Sequence, residues 1–320
     1  MTTSTKDELR ALLSEAQKPY LERHKERLDK IKPVWDEYQS VVPDVNNLQP
    51  YIQIADGNKE LLDLLFYGRM TISSFPFSGA VGRRIHYLIR NKPDDYILGL
   101  VVIMSDLTIP IRDKHIGWTR DNMWKSKRIN YLMNVHLAIS TPPLSQYLTG
   151  KLTAISVESK EIQDYFQGKY GHPLAAMTCT SLFGKSSIYN RLRGYEYLGL
   201  TKGHSVALVP VEVKDKMRED FKKEKGKHSE IYYNEDGSVK ETYGVVKGFQ
   251  KLQKYWDIQQ TENQRGTYII PLAENYKEFL CCETDELKSF DHPTYDELID
   301  YWKERWLKGR LERFGLNTEN

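Results

Sequence analysis

Residues 97–105 read Ile-Leu-Gly-Leu-Val-Val-Ile-Met-Ser, an almost unbroken apolar run. The run is too short for an ordinary core helix, and Val101, Val102 and Ile103 are β-branched. A strand buried on both faces fits best. Just upstream, Arg84 to Arg90 alternates Ile85, Tyr87 and Ile89 with His86, Leu88 and basic residues. That pattern predicts an antiparallel partner strand, with Asn91-Lys92-Pro93-Asp94-Asp95 as the turn. Downstream, residues 132–140 (LMNVHLAIS), 174–180 (LAAMTCT) and 266–272 (GTYIIPL) are further strand candidates. Between them, Leu152, Ile155, Ile162 and Phe166 mark one helix face, closed by Gly171 and Pro173. Ser186–Arg193 read as a short helical turn, followed by a strand over Tyr195–Leu200. The order of elements predicts an α+β fold, a mixed or antiparallel central sheet flanked by helices.

The ends of the chain read differently. Residues 5–40 are helical in pattern, with a break expected at Pro19. Residues 41–58 hold two prolines and two adjacent asparagines and read as a loop. Residues 213–230 read as a solvated helix, and Asn234-Glu235-Asp236-Gly237 as a hairpin turn. After Pro293, Thr294 and Glu297 match a capping box. The helix that follows carries Tyr295, Leu298, Ile299, Trp302, Trp306 and Leu307 on one side. The expected organisation is a helical arm over 1–60, an α+β domain over 61–280 with an insertion at about 205–265, and a helical segment over 281–320.

The 320 residues hold 46 Lys+Arg against 44 Asp+Glu, for a net charge of +2. The excess is not even. Residues 69–128 carry 11 basic and 5 acidic side chains, while 281–320 carry 6 and 10. A basic middle suits a polyanion, either nucleic acid or a phosphate-bearing cofactor, as well as ordinary surface charge. The three cysteines, Cys179, Cys281 and Cys282, make no disulfide framework and point to a reducing compartment. No apolar run approaches a membrane span, and the first ten residues lack the apolar core of a secretory signal.

Three stretches carry candidate chemistry. The first is the loop before the helix near 150. A glycine at a helix start can offer backbone N–H groups to an anion, and Lys151 adds a charge; Gly150 can equally serve a tight turn. The second is Thr178–Lys202, where hydroxyls including Ser181, Ser187 and Tyr189 lie with Arg191, Arg193 and two lysines around a strand end. Tyr189 can donate a proton or simply pack. The third is Arg112-Asp113-Lys114-His115-Ile116-Gly117-Trp118, a substrate-positioning loop or a structural one anchored by Trp118. Asp106, at the end of the central strand, is a base candidate or a turn former. Several classes are unsupported by pattern. No G-x-x-x-x-G-K-[ST], C-x-x-C, H-E-x-x-H or G-x-S-x-G occurs, so a P-loop nucleotidase, a zinc site and a nucleophile elbow are not indicated.

Three runs carry a resemblance: IRDKHIGWT at 111–119, YLTGKL at 147–152, and KYGHPLAAMTCTSLFGKSSIYNRLRGYEYLGLTKG at 169–203. They resemble the phage and prokaryotic family that includes the Druantia anti-phage defence protein DruA. The resemblance covers roughly 69–203, with a weaker echo at 267–280. Its strand and loop order is similar to that of GNAT-type acyltransferases and of phage Mom proteins, which modify adenine in DNA. It implies a GNAT-like transferase acting on DNA with acetyl-CoA or another acyl donor. Thr149, Gly150, Lys151, Ser181 and Ser187 would hold the donor, although the full Q/R-x-x-G-x-G/A signature is absent and Thr149 stands where phage relatives often have a glycine. Tyr189 would be the general acid, and Asp106 or His136 the base. Arg83, Arg84, Arg112, Lys114 and Arg191 would meet nucleic acid. The setting would be the cytoplasm of a bacterial host. A DNA-binding protein without catalysis, or a virion or complex component docking through its terminal helices, are the alternatives.

Overall fold

A computed structural model describes residues 6–73, 82–106, 109–182, 184–201 and 264–315. The expected helix at 213–230 and the hairpin at 234–237 lie outside them. The chain divides into two units, one of residues 1–24, 74–76 and 203–263, the other of the remainder. In the first, the described element is α1 (Lys6–Arg23). Pro19 lies inside it rather than ending it, since a proline removes one N–H without unmaking the turns on either side.

The second unit begins with α2 (Lys25–Tyr38) and β1 (Pro50–Ile54). The expected loop at 41–58 therefore holds an edge strand, and the expected arm over 1–60 ends earlier. α3 (Lys59–Ile72) follows, capped by the Asn58 side chain. β2 (Arg84–Asn91), β3 (Ile97–Ser105) and β4 (Leu132–Ser140) fall where the apolar patterns placed them. Two short helices, α4 (Pro110–Ile116) and α5 (Asn122–Arg128), join β3 to β4, so the expected loop at Arg112–Trp118 is helical, with Pro110 at its start. After β4 come α6 (Thr149–Ile155), α7 (Lys160–Tyr170), β5 (Ala176–Ser181), β6 (Glu196–Leu200) and β7 (Gly266–Pro271). The expected single helix through Leu152 and Phe166 is thus two. The helical turn or short helix expected at Ser186–Arg193 is a run of turns. α8 (Tyr276–Leu280) and α9 (Tyr295–Trp302) follow; α9 has the capping box read from Thr294 and Glu297. A π-helical turn over Lys303–Leu307 leads into α10 (Lys308–Arg313). No helix of the described residues is long and apolar enough to cross a membrane.

The strands form one seven-stranded sheet in the order β1-β2-β3-β4-β5-β7-β6. Every neighbouring pair is antiparallel except β4 and β5. Strand periodicity gives the sheet two unlike faces. Ile85, Tyr87, Val101, Ile103, Met133, Val135, Met177, Cys179, Tyr268 and Ile270 point one way, into an apolar core under α6, α7 and α9. Gly99 lets α6 sit close, because a Cβ there would overlap Thr153. The alternate residues face α3 on one half of the sheet and α4 with α8 on the other, where Leu132, Ala176 and Ile269 pack against Ile116, Trp118 and Phe279. That second face also carries polar side chains at its centre.

Candidate functional site

The polar side chains of the second face come from neighbouring strand ends. Asn134 on β4 and Thr178 on β5 are register partners. Asn134 Nδ2 donates to Thr178 Oγ1 at 2.9 Å, and Thr178 Oγ1 donates to Asp106 Oδ1 at 2.8 Å. The other oxygen of Asp106 accepts from Arg112 Nη1. Arg112 Nε donates to Asp113 Oδ1 at 2.7 Å, and Lys125 Nζ donates to Asp113 Oδ2 at 2.6 Å. The side chains of Asp106 and Arg112 are both 0% exposed. The Trp118 ring lies 5.1 Å from the Arg112 guanidinium carbon and 5.8 Å from Lys125 Nζ. Two carboxylates and two cations thus alternate, which is how buried charge is made tolerable.

Two residues further along β4, His136 sits where the β3–β4 register shifts. Arg69 reaches it from α3, Nη2 to Nε2 at 2.9 Å. Burial, then the charges of Arg69 and Arg265, push the imidazole down to about 4. Burial alone brings the Arg69 guanidinium to about 10. His136 is therefore neutral at pH 7 and accepts from Arg69. A base that takes a proton only near pH 4 is ill suited to the role expected of it. Asp106, engaged by Arg112 and Thr178, is likewise not a free base.

The parallel pair has a second property. β4 and β5 pair from Leu132–Ala176 to Val135–Cys179. Beyond that point β4 continues to Ser140 against β3, and β5 continues to Ser181 against β7. The ladder between them stops while both strands go on, so the sheet opens there. The loop that follows β4 leads to α6 at this opening. Tyr189 lies on the same side as Cys179, stacked on Tyr195 at 5.6 Å and edge-on to Tyr268 at 5.3 Å. Burial raises its phenol far above the usual value, so it stays protonated.

Thr149, Gly150 and Lys151, expected in a loop before the helix, form the first turn of α6, and the chain fills the space around them. A Cβ on Gly150 would stand 3.4 Å from Ser140 Oγ and 3.7 Å from Ile188 Cδ1. Lys151 Nζ donates to the carbonyls of Ile188 and Asn190 at 3.1 and 2.7 Å. Thr149 is 0% exposed, and its Oγ1 has no hydrogen-bond partner among the described residues. Ser181 is buried and Ser187 exposed. Ser181, in β5, and Ser187, in the turn after it, flank Ser186, whose N–H donates to Tyr268 Oη at 2.8 Å.

Of the side chains expected at nucleic acid, Arg84, Lys114 and Arg191 are exposed. Arg83 is half-buried and donates to the carbonyls of Asn130 and Leu132. Arg112 is a correction: it holds the buried charge network together and offers nothing at the surface. Arg69, Asn134 and Arg265 belong to the polar face without having been singled out in the sequence. An arginine inside the apolar helix pattern of α3 was the available signal for the first. Among the described residues, no group of His, Cys, Asp and Glu is arranged to hold a metal ion.

Comparison with known proteins adds the following. The family described as "DruA: Druantia protein DruA" matches residues 3–281. A curated protein named Druantia protein DruA, from Escherichia coli (strain UMEA 4076-1), is 29% identical over 242 residues. The match covers 68% of this chain and 59% of that relative, so the chain spans less than two thirds of the relative's length. No solved structure matches.

Proposed function

The chain belongs to the Druantia protein DruA family, and on that premise we propose that it serves in anti-phage defence by acting on nucleic acid, as a transferase with a GNAT-like sheet. The observation that carries this reading is the parallel pair β4–β5, which parts beyond Val135 and Cys179. The parting lies at the middle of a sheet ordered β1-β2-β3-β4-β5-β7-β6, and the end of β4 at Ser140 lies beside Gly150 in the first turn of α6. An extended acyl donor fits such a gap, with its carbonyl near the unpaired backbone of β4. An amine of a nucleobase would attack that carbonyl, the carbon–sulfur bond would break, and the leaving thiolate would take its proton from Tyr189. The attacking amine's proton would pass to water, and Tyr189 would regain its proton from water. Burial keeps the phenol protonated in the resting protein, and donor binding would have to bring it down toward the leaving thiol before it gave up its proton.

Thermal-shift and calorimetric titration with acetyl-CoA test the donor half of this reading. Saturable binding that is lost on Gly150→Trp supports it; no binding by a folded protein counts against it. A second reading, nucleic-acid binding without catalysis, is favoured by Ile188 and Lys151 filling the space at the first turn of α6. It expects salt-sensitive DNA binding and no response to acyl-CoA.

A further inference from the structure

The first turn of α6, Thr149–Lys151, has an unusual charge environment. The Lys151 ammonium lies 4.1 Å from the centroid of the Trp306 ring, and the Arg305 guanidinium carbon lies 4.8 Å from the same ring. Two cations thus share one indole. A third is at hand: Lys151 bonds the carbonyls of Ile188 and Asn190, and Arg191 follows directly, in a left-handed conformation with φ of 62°. A fourth, Arg310, ties the turn just before α6 by donating to the Gln146 carbonyl at 2.7 Å. Burial first, then Arg191 and Arg305, pull the Lys151 ammonium down to about 8. Among the described residues, neither Lys151, Arg191, Arg305 nor Arg310 forms an ion pair. Two polar atoms buried beside them, Thr149 Oγ1 and Trp306 Nε1, have no hydrogen-bond partner among the described residues.

Like charges gathered without a counter-charge repel, and a fold that gathers them is stabilised by an anion. The three elements that meet here are far apart in sequence: the first turn of α6, the turn after β5 and the π-helical turn after α9. Only the turn after β5 and the first turn of α6 belong to the stretch that resembles known motifs. The C-terminal arginines come from outside it.

We propose that Lys151, Arg191 and Arg305, with the Trp306 indole N–H, form a binding site for phosphate groups. Arg191 and Arg305 are exposed and meet the ligand first; Lys151 lies beneath and exchanges a carbonyl for a phosphate oxygen. The ligand is a phosphate-bearing molecule, either a small diphosphate or the backbone of a nucleic acid. The site rests on its own side chains and not on group transfer. Phosphate binding by a protein that leaves DNA unmodified would sink the transferase reading and leave this one standing.

The test uses the full chain and two probes, inorganic pyrophosphate by calorimetry and a fluorescent single-stranded oligonucleotide by anisotropy at low salt. Wild-type protein is expected to bind at least one of them. The double variant Arg191→Gln/Arg305→Gln, folded by circular dichroism, is expected to bind that probe at least about tenfold more weakly. If the probe is the oligonucleotide, its salt slope should fall by about one to two. Lys160→Gln, whose ammonium pairs with Asp164 and takes no part in the cluster, is expected to bind as wild type. Binding of pyrophosphate assigns a small diphosphate ligand; binding of the oligonucleotide alone assigns a backbone. Binding of neither, or binding that the double variant leaves unchanged, overturns the proposal.

Discussion

Two charged regions of this molecule are built in opposite ways. Around Asp106 the charges alternate: Asp106, Arg112, Asp113 and Lys125 form a chain of opposite signs, extended by Thr178 and Asn134. Around Lys151 the charges are alike, with burial first and then Arg191 and Arg305 depressing the lysine. The first region is closed to solvent at Arg112, while the second puts its arginines at the surface. The difference separates charge that neutralises itself inside the fold from charge left without a counter-ion among the described residues. A buried balanced network is costly to break and inert to added anions. An unbalanced exposed cluster contributes little to stability and responds to anions strongly.

Substitutions in the two regions should therefore behave differently. The largest effect is expected at the buried network. Arg112→Met leaves Asp106 buried without its cation and should lower stability by about 3–5 kcal/mol in urea unfolding. A loss under about 1 kcal/mol would mean the network is not closed as described. Next comes His136. Its folded value of about 4 lies below the ordinary 6.5, so the unfolded chain binds the proton first. Stability should fall as pH drops from 6.5 to 4, by about 2–3 kcal/mol relative to His136→Gln, which should lack this component. Parallel pH profiles of the two proteins would contradict it. Thr178→Val removes one link of the chain and should cost about 1 kcal/mol. Arg305→Gln should be smallest, within about 0.5 kcal/mol of wild type or slightly stabilising, because it relieves repulsion in the absence of ligand. A loss as large as that of Arg112→Met would erase the distinction between the regions.

The sequence made one of these regions easier to see than the other. β2 to β5 and β7 were legible because each is an apolar run that a strand explains without help. β1 was not: Pro50, Gln53 and the surrounding prolines and asparagines mask a strand that pairs only with β2. Asn58 was a readable cap for α3, and Pro110 a readable start for α4, but the mixed charges of 112–115 suggested a loop. The site residues followed the same rule. Gly150, Lys151 and Tyr189 were visible as local motifs. The meaning of Arg112 was hidden, since its partner Asp106 lies across a helix start. Arg305 and Trp306 were invisible as site residues because the C-terminal helices reach α6 only in the folded chain.

The central claim, that the opening between β4 and β5 supports transfer to nucleic acid with Tyr189 as proton donor, is tested most directly by mass spectrometry. Nucleosides would be released from DNA incubated with the protein and acetyl-CoA, and compared with those from the Tyr189→Phe variant. That variant keeps the ring packing against Tyr195 and Tyr268. The account predicts a nucleoside of increased mass with wild-type protein, reduced at least about a hundredfold by Tyr189→Phe. Unmodified nucleosides with wild-type protein, or equal modification by the variant, would contradict it.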